Sequence, residues 1–197
     1  MNIYPISLIS LTLFTLNSCG SLPHETKTYI QETKAKASTQ KINWPTEYEP
    51  STSAFFVHNQ IEIEAPPKVV WDLIIHAEDW SNWYIGASDI MVKTSDEGKL
   101  SGDAIFTWKT MGQRFESHVK EFAPYGRLAW ESRKTMIQGY HAWLILPTEN
   151  GCRVITDESF NGFLGTMQKW FIPSKLHGLH ETFLIELKKK AETKSKR

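Results

Sequence analysis

The chain of 197 residues is long enough for one domain with additional segments but short for two complete domains. Its 22 basic and 22 acidic residues cancel, which argues against nucleic acid as a main partner. Eight tryptophans are unusual at this length, and rings at that density are typical of a thick core or an apolar pocket. The basic end of the chain, including the tail at 193–197, is interpreted as a solvated helix terminus.

The N-terminus begins with an uncharged apolar run over residues 3–16. As a helix this run would rise only about 21 Å, short of a hydrocarbon core of ~30 Å, so it indicates a signal peptide rather than a spanning helix. The run ends in LNSC at positions 16–19, which resembles the lipobox of bacterial lipoproteins. That resemblance implies that residues 1–18 are removed and that Cys19 is lipidated, with fatty acyl chains such as palmitate.

An ordinary secretory signal with an incidental cysteine is the alternative to lipidation. Two departures favour it, because Met1 and Asn2 supply no basic residue and Asn17 is unusual in a lipobox. In the lipoprotein interpretation the other cysteine, Cys152, has no disulfide partner. Ser21 is not the Asp linked to inner-membrane retention, so we expect the protein at the periplasmic face of a bacterial cell envelope, with the outer membrane slightly favoured.

Residues 19–53 are rich in Thr, Lys, Gln, Glu, Ser and Pro without a period, which predicts a tether in front of a domain at 54–192. Near its end, Trp44, Pro45 and Tyr48 are expected to pack on that domain. The domain itself begins with an alternating strand at 55–65, a helix around 69–74 and a short helix or turn around 80–83. Strands follow at 87–94, 102–110, 113–123, 127–133, 138–147 and 152–160, and then a helix at 163–192 that is divided at Pro173.

Three tight turns, at Met111-Gly112, Tyr125-Gly126 and Asn150-Gly151, predict which side chains share a face. A two-residue loop pairs Trp108 with Phe115 and Phe106 with Ser117, and the next loop pairs Val119 with Ser132. The predicted inner face of these strands carries apolar and small side chains, while the other face carries charges and is expected to be solvated. The inner set is Phe106, Trp108, Phe115, Ser117, Val119, Leu128, Trp130 and Ser132.

The third turn leaves two registers open. A loop at Asn150-Gly151 places Trp143 opposite Glu158, whereas a loop at Glu149-Asn150 places His141 opposite Glu158. Both registers aim His141, Trp143 and Glu158 inward, and only a three-residue loop would reverse the faces.

In order and spacing, several motifs resemble the START-like, or SRPBCC, superfamily and its polyketide cyclase/dehydrase-like branch. They are IEIEAP at 61–66, VWDL at 70–73, WSNW at 80–83, RLAW at 127–130, YHAW at 140–143 and NGCRVITDE at 150–158. The resemblance implies an α+β helix-grip fold, in which a curved antiparallel sheet of about seven strands wraps around a long C-terminal helix, with two short helices after the first strand. It also implies a cavity between sheet and helix that binds lipids, sterols, polyketides or other apolar molecules, and catalysis in a minority of members.

The expected cavity combines inward aromatic rings with a few polar groups and one wall of the terminal helix. Its predicted lining is Phe106, Trp108, Phe115, Ser117, Trp130, Ser132, His141, Trp143, Thr156, Glu158, Phe163, Met167, Phe171, Leu179 and Phe183. His177, His180 and Glu181 have a spacing that could bind a metal, but a solvated helix face is the preferred interpretation. No metal and no cofactor are therefore expected.

Two functions follow from these observations, and they differ in the role of one carboxylate. The favoured one is a membrane-tethered, non-enzymatic binding or carrier protein for an apolar or amphiphilic small molecule. The alternative is a cyclase/dehydrase-type enzyme in which Glu158 and His141 transfer protons. A structural envelope protein with a vestigial cavity also stays open.

Overall fold

The computed structural model describes residues 42–94, 97–163, 165 and 173–196. The predicted signal peptide, Cys19 and the tether up to residue 41 lie outside these residues. Within the described part of the chain, no helix combines the length and the apolar composition needed to cross a membrane.

Seven antiparallel strands form one sheet in the order β1-β7-β6-β5-β4-β3-β2. The strands are β1 (Phe55–Ile63), β2 (Ser88–Val92), β3 (Ile105–Thr110), β4 (Gln113–Ala123), β5 (Arg127–Lys134), β6 (Ile137–Thr148) and β7 (Gly151–Asn161). Because β3 to β7 are joined by tight turns, they lie side by side in chain order. The first strand then pairs with the last, and the predicted helix-grip architecture is confirmed.

Two helices and two short 3-10 turns complete the described elements. Helix α1 (Pro67–Ile75) begins with proline at its first position, where the missing N–H costs nothing. A 3-10 turn (Ala77–Asn82) follows it, and another (Thr46–Tyr48) precedes β1. Helix α2 (Pro173–Ser195) lies across the concave face of the sheet, where it contacts β1 and α1.

The β3–β4 turn has the predicted geometry. Met111 and Gly112 both adopt left-handed backbone angles, with φ of 51° and 77°, as a two-residue hairpin turn of the favoured kind requires. The predicted pairs Trp108–Phe115 and Phe106–Ser117 are confirmed.

The β4–β5 register differs from the prediction by two residues. Val119 lies opposite Trp130, rather than opposite Ser132 as expected. The loop is one residue longer than predicted, since Ala123 pairs with Arg127, and a β-bulge between Val119 and Glu121 shifts the strand by one more residue. Because the two shifts add up to two residues, each side chain stays on the face of the sheet that was predicted for it.

The β6–β7 hairpin adopts the second of the two registers left open by the sequence. Thr148 pairs with Gly151, so the loop is Glu149-Asn150 and His141 lies opposite Glu158. Gly151 is needed inside the strand because a Cβ there would lie 2.1 Å from the carbonyl oxygen of Ile63.

The outer face of the sheet is not solvated everywhere. Tyr48 is only 1% exposed and stacks on Tyr140, with ring centroids 5.4 Å apart, and Trp44 contacts Tyr140 and Phe56. The end of the predicted tether therefore covers the back of β5 and β6, as the aromatic residues near its end had indicated.

Candidate functional site

A cavity of about 740 Å³ lies between the concave face of the sheet and α2. This volume falls within the range of ~300–1,000 Å³ that is typical of small-molecule sites. Apolar side chains form most of its wall.

The cavity opens between two β-turns. Its exposed lining residues, Gln113, Lys134, Thr135 and Met136, all lie at the β3–β4 and β5–β6 connections. The other lining residues are buried or half-buried, so the interior extends away from these turns.

The cavity runs along strand β6. Its inward residues Ile137, Gly139, His141 and Trp143 all line the space, beginning at the mouth. Six residues of extended strand span about 20 Å. The far end is closed where Trp143 packs on Phe183 of α2, with ring centroids 5.0 Å apart.

Nine of the residues predicted from the sequence line the cavity. They are Trp108, Phe115, Trp130, Ser132, His141, Trp143, Glu158, Leu179 and Phe183. The hairpin pairings bring the sheet residues together on one face, and the helical stripe brings the two residues of α2 opposite them.

Three predicted residues lie on the correct face of the sheet but behind the cavity wall. Phe106 is fully buried, with its ring centroid 5.5 Å from that of Trp130. Ser117 Oγ accepts a hydrogen bond from Trp108 Nε1 at 2.9 Å and lies 2.6 Å from Ser132 Oγ. Thr156 is also fully buried and hydrogen-bonded to His141. Larger neighbours cover all three, so their contribution is to position residues that do reach the space.

Three predicted residues belong to the segment before α2. Phe163 does not line the cavity and is 60% exposed, because the chain has turned outward after β7 at Gly162, whose φ is 87°. Met167 and Phe171 lie outside the described residues.

Several lining residues were missed by the sequence analysis. Trp80 and Tyr84 come from the 3-10 turn and the residues after it, and Met111, Ile137, Phe160 and Leu176 surround the mouth. Burial, and to a smaller extent the Glu158 carboxylate, raises the pKa of Tyr84, so its hydroxyl stays protonated at neutral pH. No sequence pattern fixes where a short irregular turn places its rings, whereas Leu176 could have been found from its helical spacing to Leu179 and Phe183.

His180 corrects a sequence interpretation. It was expected on a solvated helix face with His177 and Glu181, but it is 5% exposed and lines the cavity. The sequence did contain a signal for burial, because His180 lies four residues after Leu176 and three before Phe183, on the same buried stripe of the helix.

The only carboxylate lining the cavity within the described residues lies between two histidines. His180 Nε2 donates a hydrogen bond to Glu158 Oε2 at 3.1 Å, and His141 Nδ1 lies 3.6 Å from the same oxygen. The three side chains come from β7, α2 and β6, and each is at least 90% buried. Inside the exposed residues of the mouth, the charged and titratable lining side chains are therefore concentrated at this one place.

His141 is held tightly in this group. Its Nε2 is hydrogen-bonded to Thr156 Oγ1 at 2.6 Å, and its ring stacks on those of Trp143 and His180 at 5.1 and 4.7 Å. Burial, together with the nearby His180, lowers the pKa of His141 well below its ordinary value of 6.5. His141 is therefore a neutral imidazole at neutral pH.

Chemically, the site can enclose an apolar body and hold one polar group. No cysteine or Ser–His pair in the described residues supplies a nucleophile to the cavity, since Cys152 is buried outside its lining. Burial raises the pKa of the Cys152 thiol to about 11, which keeps it unreactive.

A curved sheet closed over a long helix, with an elongated apolar cavity between them, defines a helix-grip ligand-binding fold. Residues 55–192 match the family described as "Polyketide cyclase / dehydrase and lipid transport". The chain belongs to this family.

Solved structures support the same fold. A hypothetical protein from Helicobacter pylori superposes with a TM-score of 0.72 at 24% identity, over 78% of this chain and 97% of that one. The di-domain aromatase/cyclase StfQ of steffimycin biosynthesis gives 0.61 at 10% identity, over 73% of this chain and 54% of that one. The aromatase/cyclase Zhui from a Streptomyces species gives 0.58 at 11% identity, over 71% and 94%. No curated protein matches the chain in sequence.

Proposed function

We propose that this protein binds an apolar or amphiphilic small molecule in the cavity and carries it while tethered to a bacterial membrane. The observation that carries the proposal is the cavity of about 740 Å³, which is lined by aromatic rings and whose exposed lining residues lie at two β-turns. Buried apolar surface supplies the affinity in such sites, at roughly 25 cal/mol per Å² removed from water.

The polar cluster supports an amphiphilic ligand rather than a pure hydrocarbon. Glu158, His141 and His180 lie between the mouth and the closed end, where a ligand hydroxyl or carbonyl would reach them. Gly139 keeps this path open, because a Cβ there would lie 2.9 Å from the ring of Phe160 and 3.6 Å from Glu158 Oε1.

The membrane part of the proposal rests on the lipobox-like LNSC at 16–19 and on the rim of the mouth. Met136 is 47% exposed, and the neighbouring Phe163 is 60% exposed. Gly162, the residue before Phe163, lies against the backbone of Met136, since a Cβ at Gly162 would meet the carbonyl oxygen of Met136 at 2.7 Å. Apolar side chains around an entrance suit uptake from a lipid surface. We place the protein at the periplasmic face of the envelope, with the outer membrane favoured.

The enzymatic alternative has less support from the geometry. It requires Glu158 and His141 to exchange a proton, but their closest atoms are 3.6 Å apart, longer than a hydrogen bond. The hydrogen-bonded partner of Glu158 is His180.

Binding can be tested with the fluorescent apolar probe anilinonaphthalene sulfonate, displaced by palmitate, a lysophospholipid or a polycyclic aromatic polyketide. Leu179→Trp fills space in the cavity and should weaken probe binding at least about tenfold. Ile185→Trp on the exposed side of the same helix is the matched control and should leave it unchanged. Equal affinity in both variants, or no probe binding to the wild type, would contradict the proposal.

A further inference from the structure

His141, Glu158 and His180 all converge on one point of the cavity, although a hydrogen bond between two of them would not require the third. One donor atom from each of His141, Glu158 and His180 lies within 4.8 Å of the other two. Two imidazole nitrogens point at the same carboxylate oxygen, Glu158 Oε2, from 3.1 and 3.6 Å. We propose that these three residues bind a divalent transition-metal ion, of which Zn²⁺ suits the donor set best.

The two distances to Glu158 Oε2 fit a tetrahedral ion. Zn²⁺ binds histidine nitrogens and carboxylate oxygens at about 2.0–2.2 Å, which sets neighbouring ligand atoms about 3.3 Å apart in a tetrahedron. The two contacts to Glu158 Oε2 bracket this value. Two histidines with one glutamate are also a donor set that zinc uses in proteins.

An unsatisfied atom provides the second, independent observation. His141 is 5% exposed, and its Nδ1 has no hydrogen-bond partner among the described residues, although it is directed at Glu158. A buried nitrogen without a hydrogen-bond partner is energetically unfavourable. A bound cation would accept the lone pair of Nδ1 and would replace the proton between His180 Nε2 and Glu158 Oε2, which is released or moves to His180 Nδ1.

The surroundings of His141 resemble the support that metal ligands usually have. Its other nitrogen, Nε2, is hydrogen-bonded to Thr156 Oγ1 at 2.6 Å. When Nε2 donates this hydrogen bond, the lone pair of Nδ1 is directed toward Glu158 Oε2. Such a partner fixes the tautomer and the orientation of a ligating imidazole.

Three protein ligands leave at least one coordination position open. Because all three residues line the cavity, that position faces the space in which the apolar molecule is proposed to lie. The ion would then take an oxygen atom of that molecule, or water, as its remaining ligand. The metal site itself depends only on these three residues and not on the identity of the cavity ligand.

The test uses chelator-treated protein and Zn²⁺ alone, measured by isothermal titration calorimetry, with Co²⁺ as a spectroscopic substitute. We expect one Zn²⁺ per chain and visible absorption bands typical of tetrahedral Co²⁺ that Zn²⁺ abolishes. Glu158→Gln and His180→Ala should each lower the Zn²⁺ affinity at least about a hundredfold. Thr156→Val keeps all three metal ligands and should lower the affinity about tenfold. Thermal unfolding of each variant verifies that it is folded.

His177→Ala is the control, because His177 lies one turn earlier on α2 and outside the cavity lining. It should bind Zn²⁺ as the wild type does. The absence of stoichiometric binding to the wild type would overturn the proposal, as would affinities in Glu158→Gln and His180→Ala equal to that of His177→Ala. Since no apolar molecule is present in these measurements, their failure would leave the ligand-binding proposal standing.

Discussion

The ring centroid of Phe183 lies 5.0 Å from that of Trp143, and this contact closes the cavity at the end away from its mouth. The same ring contacts Trp83 and Tyr84, at 4.9 and 4.8 Å. Phe183 thus joins the terminal helix to the sheet and to the segment after α1. The helix and the sheet interlock at this end and are separated by the cavity toward the mouth.

Replacing Phe183 with alanine should destabilise the protein by about 3–5 kcal/mol, because a fully packed ring is lost and the cavity becomes longer. Urea unfolding monitored by circular dichroism measures the change. Ile185→Ala, at a position 40% exposed on the same helix, should cost less than about 0.5 kcal/mol. A loss for Phe183→Ala as small as that of the control would mean that the helix is not anchored here.

Two glycine substitutions should have opposite effects on stability. At Gly151 a Cβ would lie 2.1 Å from the carbonyl oxygen of Ile63, so Gly151→Ala must displace backbone and should cost about 2 kcal/mol or more. At Gly178 nothing lies within 4 Å of the added Cβ, and alanine is the better helix former, so Gly178→Ala should stabilise by about 0.5–1 kcal/mol. Thermal melts of both variants check the signs. A neutral Gly151→Ala would contradict the close approach of β7 to the end of β1 at Ile63.

The hydroxyl of Tyr48 links the segment before β1 to the sheet by donating a hydrogen bond to Glu131 Oε1 at 2.9 Å. Burial raises the pKa of Glu131, but hydrogen bonds from Arg133 and Tyr48 outweigh it and hold this pKa below its ordinary value. A depressed carboxyl pKa stabilises the folded state above the unfolded pKa, and this contribution is lost as pH falls through the folded pKa.

Tyr48→Phe should therefore lower the unfolding free energy by about 1.5 kcal/mol at pH 7, since a hydrogen bond to a charged group is removed. The difference from the wild type should shrink as the pH falls below the ordinary glutamate pKa of 4.5 and through the lowered pKa of Glu131, because the hydrogen bond to a charged carboxylate is then lost. Urea titrations over this pH range make the comparison, with Tyr125→Phe, at an exposed tyrosine, as the control. A difference that is independent of pH would argue against the Glu131 contact.

Cys152 should resist alkylation in the folded protein. Its thiol is fully buried, and its pKa is raised to about 11 by burial first and by Glu62 second. At pH 8 almost no thiolate forms, so iodoacetamide should label the peptide containing Cys152 only after denaturation. Mass spectrometry of that peptide gives the labelled fraction, and rapid labelling in native buffer would contradict the packing of β7 against β1.

The two faces of the sheet could be predicted because the face of a side chain depends only on whether its position along the strand is odd or even. The β3–β4 turn was assigned correctly, and its pairs followed. In the β4–β5 hairpin, a longer loop and a bulge each shifted the pairing by one residue, and the predicted inner face survived only because the two shifts added to an even number. A β-bulge of this kind cannot be recognised from a single sequence.

The polar site was predicted only in part. The strand pattern placed His141 and Glu158 on the inner face, but His180 was assigned to a solvated helix face with His177 and Glu181, because Gly178 weakens the helix there and no second cluster of ligands is visible. Its spacing from Leu176 and Phe183 predicted the opposite, and hydrophobic periodicity was the better guide. Trp80 and Tyr84 could not be placed, because a 3-10 turn directs its side chains according to tertiary contacts rather than a repeating pattern.

The most direct test of the internal ligand is mass spectrometry of the organic extract from protein purified, without denaturation, from its native cells. We expect one apolar or amphiphilic compound at close to one molecule per chain, strongly depleted in Leu179→Trp and retained in Ile185→Trp. An extract with no such compound, or with the same mixture of membrane lipids in all three proteins, would contradict it.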